Sequence, residues 1–337
     1  MSSFDANLII AFQNALLQIN RYLAIFIFVF GFVGNIANIL VLSQRCLRSN
    51  PCARFFLFSS AANIVAVCSG LISRFLSTWA MDLTNTNPFL CKLRGFLVFS
   101  SITCGFWLMV LATVDRWLSS SSDANRRQYS TLQNAHRGMI IVVILSVAIQ
   151  AHHLYCFEAN LTSGPLKCYT GTPMCRLLSD LTFVLGALIF PLVAMIIFSL
   201  MTIVNVRRAH IRVQMIATNQ TSHIIPQIPI ITTAQENQRK RTDRQLLIML
   251  FVQVFLIVLF TLPLAIQKFY STTTADILKS PLQNTIETFL FNLFLLLYYL
   301  ACGLPFYVNT LSGGVIFRKA VISLINNVNR KIFCRRV

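Results

Sequence analysis

Asp115 and Arg116 stand side by side where the twenty-residue run Gly95 to Val114, free of charged residues, comes to an end. An ionisable pair at the edge of an apolar run is a candidate for function, because each partner can be held by the other or released to a third group. Snorkelling of Arg116 to a lipid surface is the plain alternative. A second set, Arg74, Arg94, Lys268 and Glu287, lies at the ends of other uncharged runs. Three cations, two of them arginines, suit a carboxylate, since the guanidinium fork offers two parallel donors. A position at the lipid headgroups explains the same residues equally well. His152 and His153 are adjacent, so on a continuous helix they point to different faces and do not resemble a metal pair spaced four apart. The chain has no Gly-rich phosphate loop, nucleophile elbow or zinc motif. Neither an enzyme nor a bound cofactor or metal is expected.

The elements that position these residues are the uncharged runs themselves. Seven are apolar and long enough to cross a bilayer: Tyr22 to Gln44, Phe55 to Ser73, Gly95 to Val114, Gly138 to Phe157, Leu181 to Val206, Gln245 to Gln267 and Thr288 to Phe317. An eighth run, Val213 to Gln235, contains Pro226 and Pro229 among polar residues and reads as a loop, because backbone groups freed by proline find no partner in lipid. The composition agrees. Of 337 residues 56% are hydrophobic and 11% charged, against about 25% charged in a soluble domain. The expected fold is an all-α membrane protein, a bundle of seven transmembrane helices with a short amphipathic eighth helix. It divides into an extracellular N-terminus (1–21), a membrane domain (22–317) and a cytoplasmic eighth helix and tail (318–337).

The formal charge of +18 does not imply nucleic acid. With seven spans, 20 of the 28 basic and four of the ten acidic residues fall on one side, leaving net +16 there and +2 on the other. The basic side is cytoplasmic, so the N-terminus lies outside. Met1 to Asn20 lacks a basic start and a small-residue cleavage site, and span 1 is expected to serve as the uncleaved targeting signal. Basic clusters such as Arg239, Lys240 and Arg241 suit anionic membrane lipid or a docking protein, and composition does not separate the two.

Asp115-Arg116-Trp117 resembles the Asp-Arg-Tyr signature of rhodopsin-like (class A) G-protein-coupled receptors. The resemblance extends along the chain: Gly34-Asn35 in span 1, Pro191, Pro263 and Pro305 in spans 5 to 7, and Phe317-Arg318 at the start of the eighth helix. The sub-family it most resembles is the invertebrate neuropeptide, FMRFamide-receptor-like kind. The resemblance implies an extracellular ligand, a heterotrimeric G protein as partner, and a plasma-membrane location. It also implies that Arg116 pairs with Asp115 and across to Asp243 at rest, and that Pro191, Pro263 and Pro305 act as hinges. Outward movement of span 6 would free Arg116 for the G protein.

In the family's pattern Cys91 bonds to the second extracellular loop. Cys168 is the expected partner, Cys175 the rival, and Cys156 with Cys175 a second bridge; the four cysteines allow three pairings. The departures narrow the ligand. Val98 replaces the aspartate of amine receptors and Tyr298 the retinal lysine of opsins. A peptide that brings an acidic group to Arg74, Arg94 and Lys268, with Glu287 and Tyr298 beside them, is the better fit. Thr261 stands for the usual sixth-helix tryptophan, and Leu304-Pro305-Phe306-Tyr307-Val308 replaces the usual seventh-helix motif. Asn63 replaces the second-span aspartate, and its companions Gly105 and Ala301 supply no side-chain oxygen, so no sodium site is expected. Asn160-Leu161-Thr162 is a glycosylation sequon on the extracellular side, and Cys334 a palmitoylation candidate. A small transporter or channel subunit is the rival class, but neither half of the chain repeats the other and no formal charge lies at mid-span.

Overall fold

The structure, a computed structural model, describes residues 3–161, 166–219, 230–274, 277–312, 317–324 and 326. For 3, 46, 209–210, 212–219, 230–247, 249 and 312 it describes the backbone alone. Seven helices are long and apolar enough to span a membrane: α1 Phe4–Leu42, α2 Pro51–Ser77, α3 Pro88–Ser120, α4 Leu132–Cys156, α5 Pro173–Arg208, α6 Leu250–Thr273 and α7 Pro281–Gly303. A short helix, α8, covers Pro305–Ser312, and residues 317–324 are helical beyond it.

Most starts are written in the sequence. Asn50, Asn87, Thr172 and Ser280 each accept a hydrogen bond from a first-turn N–H and are each followed by proline. The side-chain oxygen satisfies an orphan donor, and proline has none to lose at the first helical position. Outward faces are apolar, as with Ile144 on α4, Ile197 on α5 and Phe255 on α6, all exposed. Polar side chains such as Asn35, Asn38, Asn309 and Gln253 are buried between helices. That inside-out distribution suits lipid rather than water.

Three boundaries differ from the sequence expectation. Helix begins at Ser3, so α1 is continuous with the segment expected to precede span 1. Its 39 residues extend about 58 Å, nearly twice a hydrocarbon core of about 30 Å. The run read as a loop is helical to Asn219 and again from Ile230; charge counting could not register a span prolonged into water, and Pro226 and Pro229 lie outside the described residues. The seventh run stops at Gly303, and Pro305 opens α8, because proline has no N–H to continue the helical ladder and its ring crowds the preceding turn.

Of the other two expected hinge prolines, Pro191 adjoins irregular backbone and Pro263 does not. Pro191 follows the π-helical stretch Thr182–Ile189, whose wider turn takes up a missing donor. Pro263 lies inside the helix that carries α6. At Gly303 an added Cβ would sit 2.8 Å from the Cα of Gly31, so glycine lets α1 and α7 touch backbone to backbone.

Candidate functional site

Two disulfides close one end of the bundle. Cys91 at the start of α3 bonds Cys168, and Cys156 at the end of α4 bonds Cys175 at the start of α5. Between them Phe157–Glu158 pairs antiparallel with Tyr169–Thr170, laying a small hairpin over the helices. Beneath it is a cavity whose lining includes Arg74, Arg94, Lys268 and Tyr298. Four of the five residues proposed for ligand contact therefore converge on one space. Glu287 does not line it; its carboxylate accepts from Lys279 Nζ at 2.6 Å.

The three cations are not equivalent, and this corrects the expectation of three at an open mouth. Lys268 is paired with Asp180, and Thr272 donates to the same carboxylate at 2.9 Å. Its ammonium also lies within 6.0 Å of the ring centroids of Phe99, Tyr169, Phe183 and Phe291. Arg94 is half-buried and forms no ion pair within 4.0 Å among the described residues. Arg74 is only 4% exposed. One guanidinium nitrogen, Nη1, donates to Asn292 Oδ1 at 2.7 Å and to Asn20 Oδ1 at 3.2 Å, while Nε and Nη2 are buried with no partner. Asp180 and Asn20 were missed in the sequence because both sit at span boundaries, where charge or polarity normally means solvent.

At the opposite end of α3, Arg116 Nη2 donates to Asp115 Oδ2 at 3.0 Å and to Asn50 Oδ1 at 2.8 Å. The other Asp115 oxygen accepts from Ser130 at 2.6 Å. Both members of the pair are buried, so Arg116 does not snorkel. Asn50 serves twice, capping α2 through the N–H of Cys52 and holding Arg116; the Asn-Pro cap signature was the signal available for it. Trp117 packs on Phe198 of α5, with centroids 5.4 Å apart, and lies under Arg126. The side chain of Asp243, Thr162 of the sequon, and Cys334 lie outside the described residues. Asn160 is exposed, in the left-handed backbone region at φ 61°.

A buried chain of amides ties α6, α8, α1 and α2 together. Gln253 of α6 donates to Asn309 at 3.0 Å, Asn309 to Asn38 of α1 at 3.0 Å, and Asn38 to Ser60 of α2 at 2.7 Å. Nearby, a second cavity is lined by Ser59, Asn63, Gly105, Gln253, Tyr298 and Ala301 among others. It offers amide and hydroxyl oxygens and no carboxylate, a donor set that does not fit a sodium ion. The two histidines differ from expectation: a turn at 151–152 breaks α4 and brings their ring centroids to 4.0 Å. His153 is buried within hydrogen-bonding distance of Gln150 O and Ser179 Oγ, and no metal-binding cluster of His, Cys, Asp or Glu occurs among the described residues.

No curated protein sequence matches the chain. Residues 34–305 match the family described as 7 transmembrane receptor (rhodopsin family), and the match runs from the start of the Gly34-Asn35 pair to Pro305. Seven membrane-length helices, a disulfide joining α3 to the loop before α5, and a family match over most of the sequence agree, and the chain belongs to the rhodopsin family of seven-transmembrane receptors.

Proposed function

We propose that the receptor binds an extracellular peptide in the cavity beneath the Cys91–Cys168 hairpin and transmits that event to a heterotrimeric G protein at the Arg116 end. The observation that carries this reading is α3. One unbroken helix of 33 residues holds the disulfide-bonded Cys91 and the cavity residue Arg94 at one end and the buried Asp115–Arg116 pair at the other. Orientation follows from the charge partition, with the cavity outside and the basic end in the cytoplasm. Agonist and G protein would then bias one two-state element, α6 against α3, from opposite sides.

The test is expression with a promiscuous G protein and a peptide library, read out as second messenger. A peptide-dependent rise supports the reading; silence with every partner at confirmed surface expression removes it. Asp243→Ala should raise ligand-independent signalling, and unchanged basal activity at matched expression would remove Asp243 from the switch.

A further inference from the structure

The geometry points to Arg74 as the seat of a single carboxylate on the ligand, and we infer that the ligand presents this group on an apolar stem. The inference rests on reading the cavity as a ligand site and adds to it the chemistry of what enters. Of the two cavity cations that no carboxylate pairs among the described residues, Arg74 and Arg94, Arg74 is the less exposed, and its partners are the neutral amides of Asn292 and Asn20. A buried cation is ordinarily paired. The two unpartnered nitrogens, Nε and Nη2, are those that share the side-on edge of a guanidinium, where two N–H bonds run parallel and match the two oxygens of one carboxylate. Nη1 is engaged on the far side, so the fork is already fixed in orientation before any ligand arrives.

The neighbours shape the rest of the ligand. Lys268 is matched by Asp180 and is not an equal competitor for the anion. Arg94 adds a second positive charge at the cavity wall. The lining also includes Val98, Ile102, Leu264, Phe291 and Leu295, which favours an apolar body over a second charge. A carboxylate on such a stem has two natural sources, the free C-terminus of a peptide ending in an apolar residue, and an aryl or fatty acid. A water molecule satisfying the free edge of Arg74 is the competing account.

The experiment uses the full chain purified in lipid nanodiscs, with the midpoint of thermal unfolding as readout. The probes are 4-phenylbutanoate, 4-phenylbutanamide, and one short peptide ending in Leu-Phe as free acid and as amide. At saturation the acids should raise the midpoint by about 3 °C or more, and the isosteric amides should not. A response to the peptide acid alone assigns the peptide source; a response to phenylbutanoate alone assigns the small acid. Arg74→Gln should abolish the shift. Because that variant removes a buried side chain, Asn292→Asp provides the second arm. It places a carboxylate against Arg74 from within, and should raise the midpoint of the ligand-free chain while cancelling the acid's effect. Equal shifts from acid and amide, no shift from either acid, or an acid shift that survives both substitutions overturns the seat. Signalling is not read in this experiment, so a chain that takes up the acid but fails to couple leaves the seat standing and counts against the transduction reading alone.

Discussion

Two arginines of this receptor are almost fully buried, Arg74 at 4% and Arg116 at 3% exposure, and they are treated in opposite ways. Arg116 has a carboxylate from the adjacent residue and an amide from the cap of α2. Arg74 has two amides and, among the described residues, no carboxylate. A buried charge with its own counter-ion is a closed unit, which changes only when something pulls the partners apart. A buried charge without one is an open unit, most stable when something arrives. On the function proposed above, the same residue type makes a latch at one end of the bundle and a receptacle at the other, and what differs is whether a nearby residue supplies an anion.

The contrast can be broken by removing the partners. Asp115→Ala strips the latch of its adjacent carboxylate and should lower folding stability by about 3–5 kcal/mol, measured as thermal or denaturant unfolding of the purified receptor. Asn292→Ala removes only a neutral acceptor from a cation that already lacks a counter-ion, and should cost about 1–3 kcal/mol. Equal costs would mean that the two arginines are held alike.

A steric change sharpens the receptacle side. Tyr299 reaches toward Arg74 over Gly70, one helical turn away on α2, where an added Cβ would lie 2.0 Å from the tyrosine hydroxyl. Gly70→Ala should therefore displace Tyr299 and cost about 1–3 kcal/mol by overpacking, although alanine is ordinarily the better helix former. The same substitution at Gly186, where nothing lies within 4 Å, is the control and should not destabilise. If the Gly70 variant is as stable as the parent, Tyr299 does not pack as described.

These contrasts were only partly legible in the sequence. The seven spans were, because charge-free length is a bilayer property that needs no knowledge of neighbours. So were Asp115 and Arg116 as a pair, being adjacent. The pairing of Cys91 with Cys168 came from family resemblance, and the sequence alone left Cys175 as a rival. What stayed hidden depends on which helix faces which. Asp180 and Lys268 are 88 residues apart, and nothing in either flanking run announces that they meet. Asn38 and Gln253 sit in uncharged spans where any amide is simply interhelical glue until its partner is known. The extension of α1 back to Ser3 was missed for a different reason: Arg21 ends the charge-free run, and the uncharged stretch Ala6 to Asn20 before it is too short to count as a span.

The amide chain that ties α6 to α8, α1 and α2 gives the smallest effect and tests whether it holds α6 in place. Gln253 contributes one hydrogen bond from α6 to Asn309, which continues through Asn38 to Ser60; its own Oε1 is buried without a partner. Gln253→Leu removes the donor and that unsatisfied acceptor together, so folding stability should change little. The equilibrium between arrangements of α6 should respond more. An interhelical hydrogen bond in a membrane is worth about 0.6–1.7 kcal/mol, a shift of roughly three- to twentyfold in a two-state balance. If the chain belongs to the resting arrangement, basal second-messenger output should rise by a factor in that range at matched surface expression, with the agonist-driven maximum unchanged. Thr261→Val serves as the comparison on the same helix, because the Thr261 hydroxyl donates within α6 to Ile257 O at 2.7 Å and bonds no neighbouring helix among the described residues. A rise in the Gln253 variant but not in the Thr261 variant assigns the effect to the tie between helices. Equal basal output in both would mean that the amide chain is packing, and that latch and receptacle communicate by another route along α3.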